Sequence, residues 1–319
     1  MKKVVKFVVI FIITICMLGM MQTKSNASKI KINKEKKTLY VGSTYYLKIK
    51  GTNKKVKWTS SNKKVATINS KGKVTAKKKG QTEINAKVGD KNLKCTIKVK
   101  NLPGESKYTK GVIYLTFDDG PSSTITPKAL DILKKEKIKA TFFVLNYSKS
   151  NEKLIKRIVK EGHTIGIHGY SHEYSKIYKS KNAFFNNVYS LQEKIEKSTG
   201  VKTKYMRFPG GSSNTVSRHY SKGIMSLLTG RMLGKGFKYF DWNVSSGDAG
   251  GAKTSNDVYR NVTRNLSKKR GNMVLCHDFA GNTKTLNALP RIIKYAKKHG
   301  YKFKAIDDNT PLYNHHVNN

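Results

Sequence analysis

The chain changes its hydrophobic rhythm once, and that change constrains the fold more than any other feature. Before Leu102-Pro103-Gly104-Glu105-Ser106 the pattern is short alternating runs: Thr44 to Ile49, Val56 to Thr59, Val65 to Ile68, Lys73 to Ala76, Thr82 to Lys87 and Lys94 to Val99. Glycine, asparagine and aspartate separate them, as short strands joined by turns require. After the break, apolar strand-like runs (Val112 to Phe117, Thr141 to Leu145, Thr164 to His168, Met273 to His277) alternate with stretches of helical spacing such as Pro127 to Lys137 and Asn182 to Ser198. Such alternation produces parallel βα units, closed as a barrel or open as a doubly wound sheet. The 319 residues suffice for both modules. The expected layout is a leader over 1–27, an all-β sandwich over 28–101, a linker over 102–109, an α/β domain over 110–310 and a tail over 311–319.

The leader sets the compartment. Lys2, Lys3 and Lys6 precede an uncharged run from Phe7 to Met21, and Ser25-Asn26-Ala27 offers small residues for cleavage. This is the form of an export signal; an uncleaved membrane anchor is the alternative. The chain carries 64 Lys plus Arg against 19 Asp plus Glu, a formal charge of +45. A surface of that sign attracts polyanions. Export, and the lack of a zinc-knuckle or helix-turn-helix pattern, directs that attraction to anionic cell-wall polymers rather than nucleic acid. No stable protein partner is expected. Cys95 and Cys276 fall in different modules, so a framework disulfide is not expected.

The first module resembles a bacterial Ig-like domain of group 2. The resemblance rests on Leu39-Tyr40-Val41-Gly42, Val56-Lys57-Trp58-Thr59-Ser60-Ser61-Asn62, Val65-Ala66-Thr67-Ile68 and Gly72-Lys73-Val74-Thr75-Ala76. It implies an extracellular spacer or adhesive module. Trp58 and Cys95 read as core residues.

Reactive groups of parallel βα folds gather at the C-terminal ends of strands. Four polar clusters stand there: Asp118-Asp119-Gly120, His168-Gly169-Tyr170-Ser171-His172, Arg207-Phe208-Pro209-Gly210-Gly211 and Leu275-Cys276-His277-Asp278. A helical turn after its strand would aim His168 and His172, four residues apart, the same way. With Asp119 they make a two-histidine, one-carboxylate set that leaves coordination positions open, as hydrolytic metal sites do. In an extended segment Asp118 and Asp119 point oppositely, so one can hold a metal while the other accepts a proton. Arg207 is a permanent cation suited to orienting Asp118. Leu275 and His277 share a strand face while Cys276 points to the helix layer. His277 is placed to protonate a leaving amine, and Asp248 to hold His277 charged.

Thr116-Phe117-Asp118-Asp119-Gly120 with His168-Gly169-Tyr170-Ser171-His172 resembles the polysaccharide deacetylases, the NodB-homology domain or carbohydrate esterase family 4. The Arg207 to Gly211, Asp241 to Asp248 and Leu275 to Asp278 segments are similar to the family's later motifs, in order. The resemblance spans about 110–307 and implies a distorted (β/α) barrel of fewer than eight strands. It also implies metal-dependent removal of acetyl groups, mostly from N-acetylhexosamines. By that resemblance Asp118 is the catalytic base, Asp119, His168 and His172 are the metal ligands, and Arg207 orients the base. Gly210 then supplies a backbone N–H to the oxyanion, Leu275 lines the acetyl-methyl groove, His277 is the acid and Asp248 tunes it. Two positions depart from the family. Gly169 replaces a Ser or Thr that supports the histidine loop, and Ala249 replaces a Trp, with Trp242 the candidate to cover part of the same groove.

The expectation is an exported, metal-dependent deacetylase of acetylated amino-sugar polymers. Peptidoglycan is the first-choice substrate and zinc the first-choice ion, with cobalt or iron as alternatives. The rival readings are an O-acetyl polysaccharide esterase and a wall-binding protein with weak or no catalysis.

Overall fold

A computed structural model of the chain describes residues 30–40, 44–100 and 109–319. The leader and most of the linker lie outside the described residues. Among those residues no helix is long and apolar enough to cross a membrane.

The first module is a sandwich of short strands: β1 (Lys31–Ile32), β2 (Lys36–Tyr40), β3 (Thr44–Tyr46), β4 (Ile49–Lys50), β5 (Lys57–Ser60), β6 (Ala66–Ile68), β7 (Lys73–Ala76), β8 (Gly80–Val88) and β9 (Lys91–Lys100). One sheet runs β2-β9-β8-β5, the other β3-β7-β6, and β1 pairs with β4. Strict alternation builds it. Ile84 and Ala86 on β8, and Cys95, Ile97 and Val99 on β9, point inward and are almost fully buried, while Lys87 on β8 and Lys94, Lys98 and Lys100 on β9 face outward. Trp58 packs against this core. The sequence pattern does not reveal β1 and β2, because lysines crowd both. It also runs β3 and β4 together, where Leu47 is buried between them.

The second module begins with β10 (Val112–Asp118), α1 (Thr126–Lys135), β11 (Thr141–Leu145), α2 (Glu152–Lys160) and β12 (Thr164–Gly169). Next come α3 (Tyr174–Ile177), α4 (Lys181–Thr199), β13 (Tyr205–Met206), α5 (Ile224–Gly234), β14 (Lys238–Tyr239) and β15 (Val244–Ser245). It closes with α6 (Ser255–Asn265), β16 (Asn272–His277), α7 (Thr283–Lys298) and β17 (Lys302–Phe303). Seven parallel strands run side by side in the order β14-β13-β12-β11-β10-β16-β15, and β17 pairs with the start of β10. This curled sheet is the distorted (β/α) barrel that the resemblance implies, not a doubly wound sheet.

Strand parity places the chemistry. On β10, Ile113, Leu115 and Phe117 enter the helix-side core, where Phe117 stacks on Phe142 at 5.0 Å. The other face carries Val112 and Tyr114, which pack with Phe143, Phe240, Met273 and Tyr313 inside the curl. The same face then turns polar at Thr116 and Asp118. On β16, Val274 and Cys276 join the helix-side core, and Met273, Leu275 and His277 face inward. The interior is thus apolar at the strands' beginnings and polar at their C-terminal ends. The segment set apart as a tail packs onto the domain: Tyr313 fills the interior, and Asn319 accepts hydrogen bonds from Ser226 and Gly223. The two modules touch at the end of α5. There Lys37 donates to the Gly234 carbonyl at 2.8 Å, and Arg231 lies 4.2 Å over the Tyr46 ring.

Candidate active site

Arg207, just past β13, reaches across the interior and has no solvent exposure. Its guanidinium donates to Asp118 at 2.8 Å, to the Thr116 hydroxyl at 2.7 Å, and to the carbonyls of Phe240 and Asp241 at 2.8 and 3.1 Å. Phe143 lies against its face at 4.5 Å. Four of its five N–H groups therefore have acceptors, which makes a buried cation tolerable. Its backbone carbonyl accepts from His168 Nδ1 at 2.9 Å. A carbonyl only accepts, so Nδ1 is the donor in this bond, and Nε2 is the nitrogen turned toward Asp119, at 3.3 Å.

Two local readings of the sequence need correction. Asp118 and Asp119 do not point oppositely as an extended segment would have them: Asp119 takes a left-handed conformation, φ 70°, and both carboxylates approach His168 Nε2, at 4.0 and 3.3 Å. The segment from His168 to His172 is not helical: β12 continues to Gly169, and an irregular loop follows. Asn187 on α4 holds that loop, its backbone carbonyl accepting from Tyr170 N–H at 3.2 Å and its side-chain oxygen from Ser171 N–H at 2.6 Å. A Cβ at position 169 would lie 2.6 Å from the Asn187 amide nitrogen. Glycine at 169 therefore makes room for Asn187, which supports the loop in place of a Ser or Thr side chain. Sequence periodicity places Asn187 within a helix and gives no sign of this task.

Asp119, His168 and His172 converge, each offering an atom within 4.8 Å of the others. His172 Nε2 lies 3.8 Å from Asp119 Oδ1. That oxygen is buried and accepts no hydrogen bond among the described residues, a costly state for a carboxylate unless a cation meets it. Burial, reinforced by the neighbouring His168, lowers the His172 pKa and so favours the neutral imidazole that ligation needs. The donor set and the orphaned oxygen fit a divalent cation.

Beside this cluster, His277 stands at the register position of Asp118 on the adjacent strand. Its Nδ1 lies 2.7 Å from Asp248 Oδ1. Asp248 is itself buried and accepts from Ser246, Thr285, Asn282 and the His277 backbone N–H. Burial disfavours the His277 charge, but the Asp248 bond and the surrounding carboxylates outweigh it and raise the pKa to about 9. The same bonds hold Asp248 well below the usual carboxylate range against its own burial. Leu275 lies one turn of the pleat below His277, 7% exposed.

Gly210 has φ 74° and is exposed at the cleft. Trp242 is half-buried, packing under Gly211 and edge-on against His315 at 4.7 Å. Asp278, quoted above only as part of a motif, is fully buried: Thr126 donates to it at 2.5 Å, and burial first, then Asp119 and Asp118, raise its pKa to about 7. A Cβ at Gly120 would collide with that carboxyl group, so the glycine of Asp118-Asp119-Gly120 serves close approach.

Because Arg207 neutralises Asp118 and satisfies two backbone carbonyls, Arg207→Met should cost about 3–5 kcal/mol of stability. Urea denaturation of the full chain measures it; a change under about 1 kcal/mol would show that the pair is not what holds these loops.

Residues 105–224 match the polysaccharide deacetylase family, and residues 27–99 match the bacterial Ig-like domain of group 2. The chain is 32% identical to the putative polysaccharide deacetylase YheN of Bacillus subtilis, over 66% of this chain and 72% of that protein. It resembles the catalytic domain of a peptidoglycan N-acetylglucosamine deacetylase from Eubacterium rectale, with 40% identity and a TM-score of 0.64, over 67% of this chain and 97% of that one. It also resembles a family 4 acetyl xylan esterase from Clostridium thermocellum solved with a cobalt ion, with 25% identity and a TM-score of 0.50, over 61% and 87% of the two chains. The chain belongs to the polysaccharide deacetylase family, hydrolases acting on amide bonds, and carries an Ig-like domain of group 2 ahead of its deacetylase domain.

Proposed function

We propose that this protein is exported and removes N-acetyl groups from N-acetylglucosamine-containing cell-wall polymer, peptidoglycan first. The observation that carries the reading is the facing pair of Asp118 and His277. They occupy matched positions on neighbouring strands, one tied to a buried guanidinium, the other raised to a pKa of about 9. A proton acceptor and a proton donor at neighbouring strand ends suit hydrolysis of an amide, whose nitrogen must be protonated to leave.

Asp119, His168 and His172 would hold a divalent cation, zinc by donor type, which supplies Lewis-acid activation of water and polarises the acetyl carbonyl. Asp118, oriented by Arg207, takes a proton from the attacking water. The water oxygen bonds to the carbonyl carbon, and the Gly210 N–H faces the oxygen that gains charge. His277 then gives its proton to the amide nitrogen as the C–N bond breaks. Acetate and a free amine on the sugar result. Leu275 receives the acetyl methyl group. The basic Ig-like module, with 22 lysines against 3 acids between residues 28 and 101, would hold the enzyme on anionic wall polymers, a contact that salt weakens.

A second reading, de-O-acetylation of a decorated polysaccharide, is favoured by the likeness to the acetyl xylan esterase. An ester's leaving oxygen needs the acid less than an amine does, so the two substrates separate the readings.

Zinc-loaded protein should release acetate from N-acetylglucosamine oligomers faster than from acetylated xylan, and Asp118→Asn should lose at least about 10²-fold of it. Acetate from xylan alone would favour the esterase. The pH profile provides a second check. His277 works as the protonated acid, so activity should hold below its pKa and fall tenfold per unit above about 9. Asp248→Asn removes the anion that sustains the charge, so the alkaline limb should move down toward the ordinary histidine value of about 6.5. A limb unmoved by Asp248→Asn would remove His277 from the acid role.

A further inference from the structure

The short helix α3, which follows the histidine loop, presents two tyrosines to the Pro209-Gly210 turn. Tyr178 is fully buried, and its hydroxyl donates to the Pro209 carbonyl at 2.7 Å. Tyr174 packs edge-on against Tyr178 at 5.5 Å, and its other side lies 5.4 Å from the His172 ring. Its hydroxyl occupies the place where a Cβ on residue 210 would sit, and any larger residue there would collide with it. Tyr174 is partly exposed. Neither its hydroxyl nor the Gly210 N–H has a hydrogen-bond partner among the described residues.

Two donors without acceptors thus stand side by side, next to a residue of the metal-ligating set. A single-atom acceptor between them and His172 would receive both. The acetyl oxygen of the substrate, as it becomes an oxyanion, is such an acceptor: negative, small, and required to lie near the cation-binding cluster. We propose that Tyr174 contacts the substrate, its phenolic O–H donating to the developing oxyanion alongside the Gly210 N–H. The phenol keeps its proton throughout, and no covalent bond to the enzyme forms. Glycine at 210 then has a second use, since it admits a hydroxyl from another element into the oxyanion site. This inference rests on the deacetylation reading above.

Tyr174→Phe keeps the ring against His172 and Tyr178 and removes only the donor. With the full-length, zinc-loaded chain and N-acetylglucosamine tetramer, kcat for acetate release should fall roughly 10- to 100-fold. That is at or below the usual loss of about 10²–10³ for one oxyanion donor. KM should change by less than about threefold, because the interaction forms only in the transition state. Zinc content and thermal midpoint, measured on the same sample, should match wild type; a structural role would move one of them. A kcat within threefold of wild type would overturn the proposal while leaving the deacetylase reading intact. A loss confined to KM would make Tyr174 a ground-state sugar contact and overturn it equally. A wild-type chain that releases no acetate from any N-acetylglucosamine polymer would sink the deacetylation reading, and this assignment with it.

Discussion

The site hangs on one buried cation. Arg207 lies inside the curled sheet with no solvent to screen it, and a cation there requires acceptors on every side. Those acceptors are Asp118 and Thr116 on β10 and the carbonyls of Phe240 and Asp241 beyond β14. Meeting that demand ties together segments nearly a hundred residues apart. The backbone of the same residue fixes the His168 ring. The side chain that orients the proposed base therefore belongs to the residue whose carbonyl sets the tautomer of a proposed metal ligand. Disturbing one disturbs the other, and the two halves of the cleft are coupled through a single residue.

Around this centre the chain uses strand parity economically. One face of β10 supplies apolar packing and then, without a change of direction, two polar groups; β16 repeats the scheme with Met273, Leu275 and His277. The helix-side face is apolar but for Asn272 at the start of β16, which leaves the strands little freedom to slip by one residue: a slip would bury His277 and Asp118 among Phe117, Phe142 and Cys276. The reactive groups are placed by the same hydrophobic pattern that specifies the sheet.

Much of this is legible in the sequence. The four strand-end clusters, the parity of Leu275, Cys276 and His277, and the alternation of the lysine-rich strands all follow from two-residue periodicity. What escapes it depends on contacts distant in sequence. β1 and β2 carry too many lysines to look like strands, yet pairing with β4 and β9 orders them. The left-handed turn at Asp119 and the irregular loop after β12 have no periodic signature. Asn187 and Tyr174 sit at unremarkable places in or beside helices, and only the space left by Gly169 and Gly210 shows what each does. Asp278 was visible as a motif letter, but its burial beneath Gly120 was not.

Asp119, His168 and His172 are proposed to form one cation site beside Asp118. Calorimetric titration of zinc into metal-free full-length protein tests it most directly. One tightly bound ion per chain is expected, with affinity lowered by more than about 100-fold in His168→Ala and in Asp119→Asn, beyond the 10- to 100-fold typical of losing only a supporting group. Binding unchanged in both variants, or no ion bound at all, would contradict it.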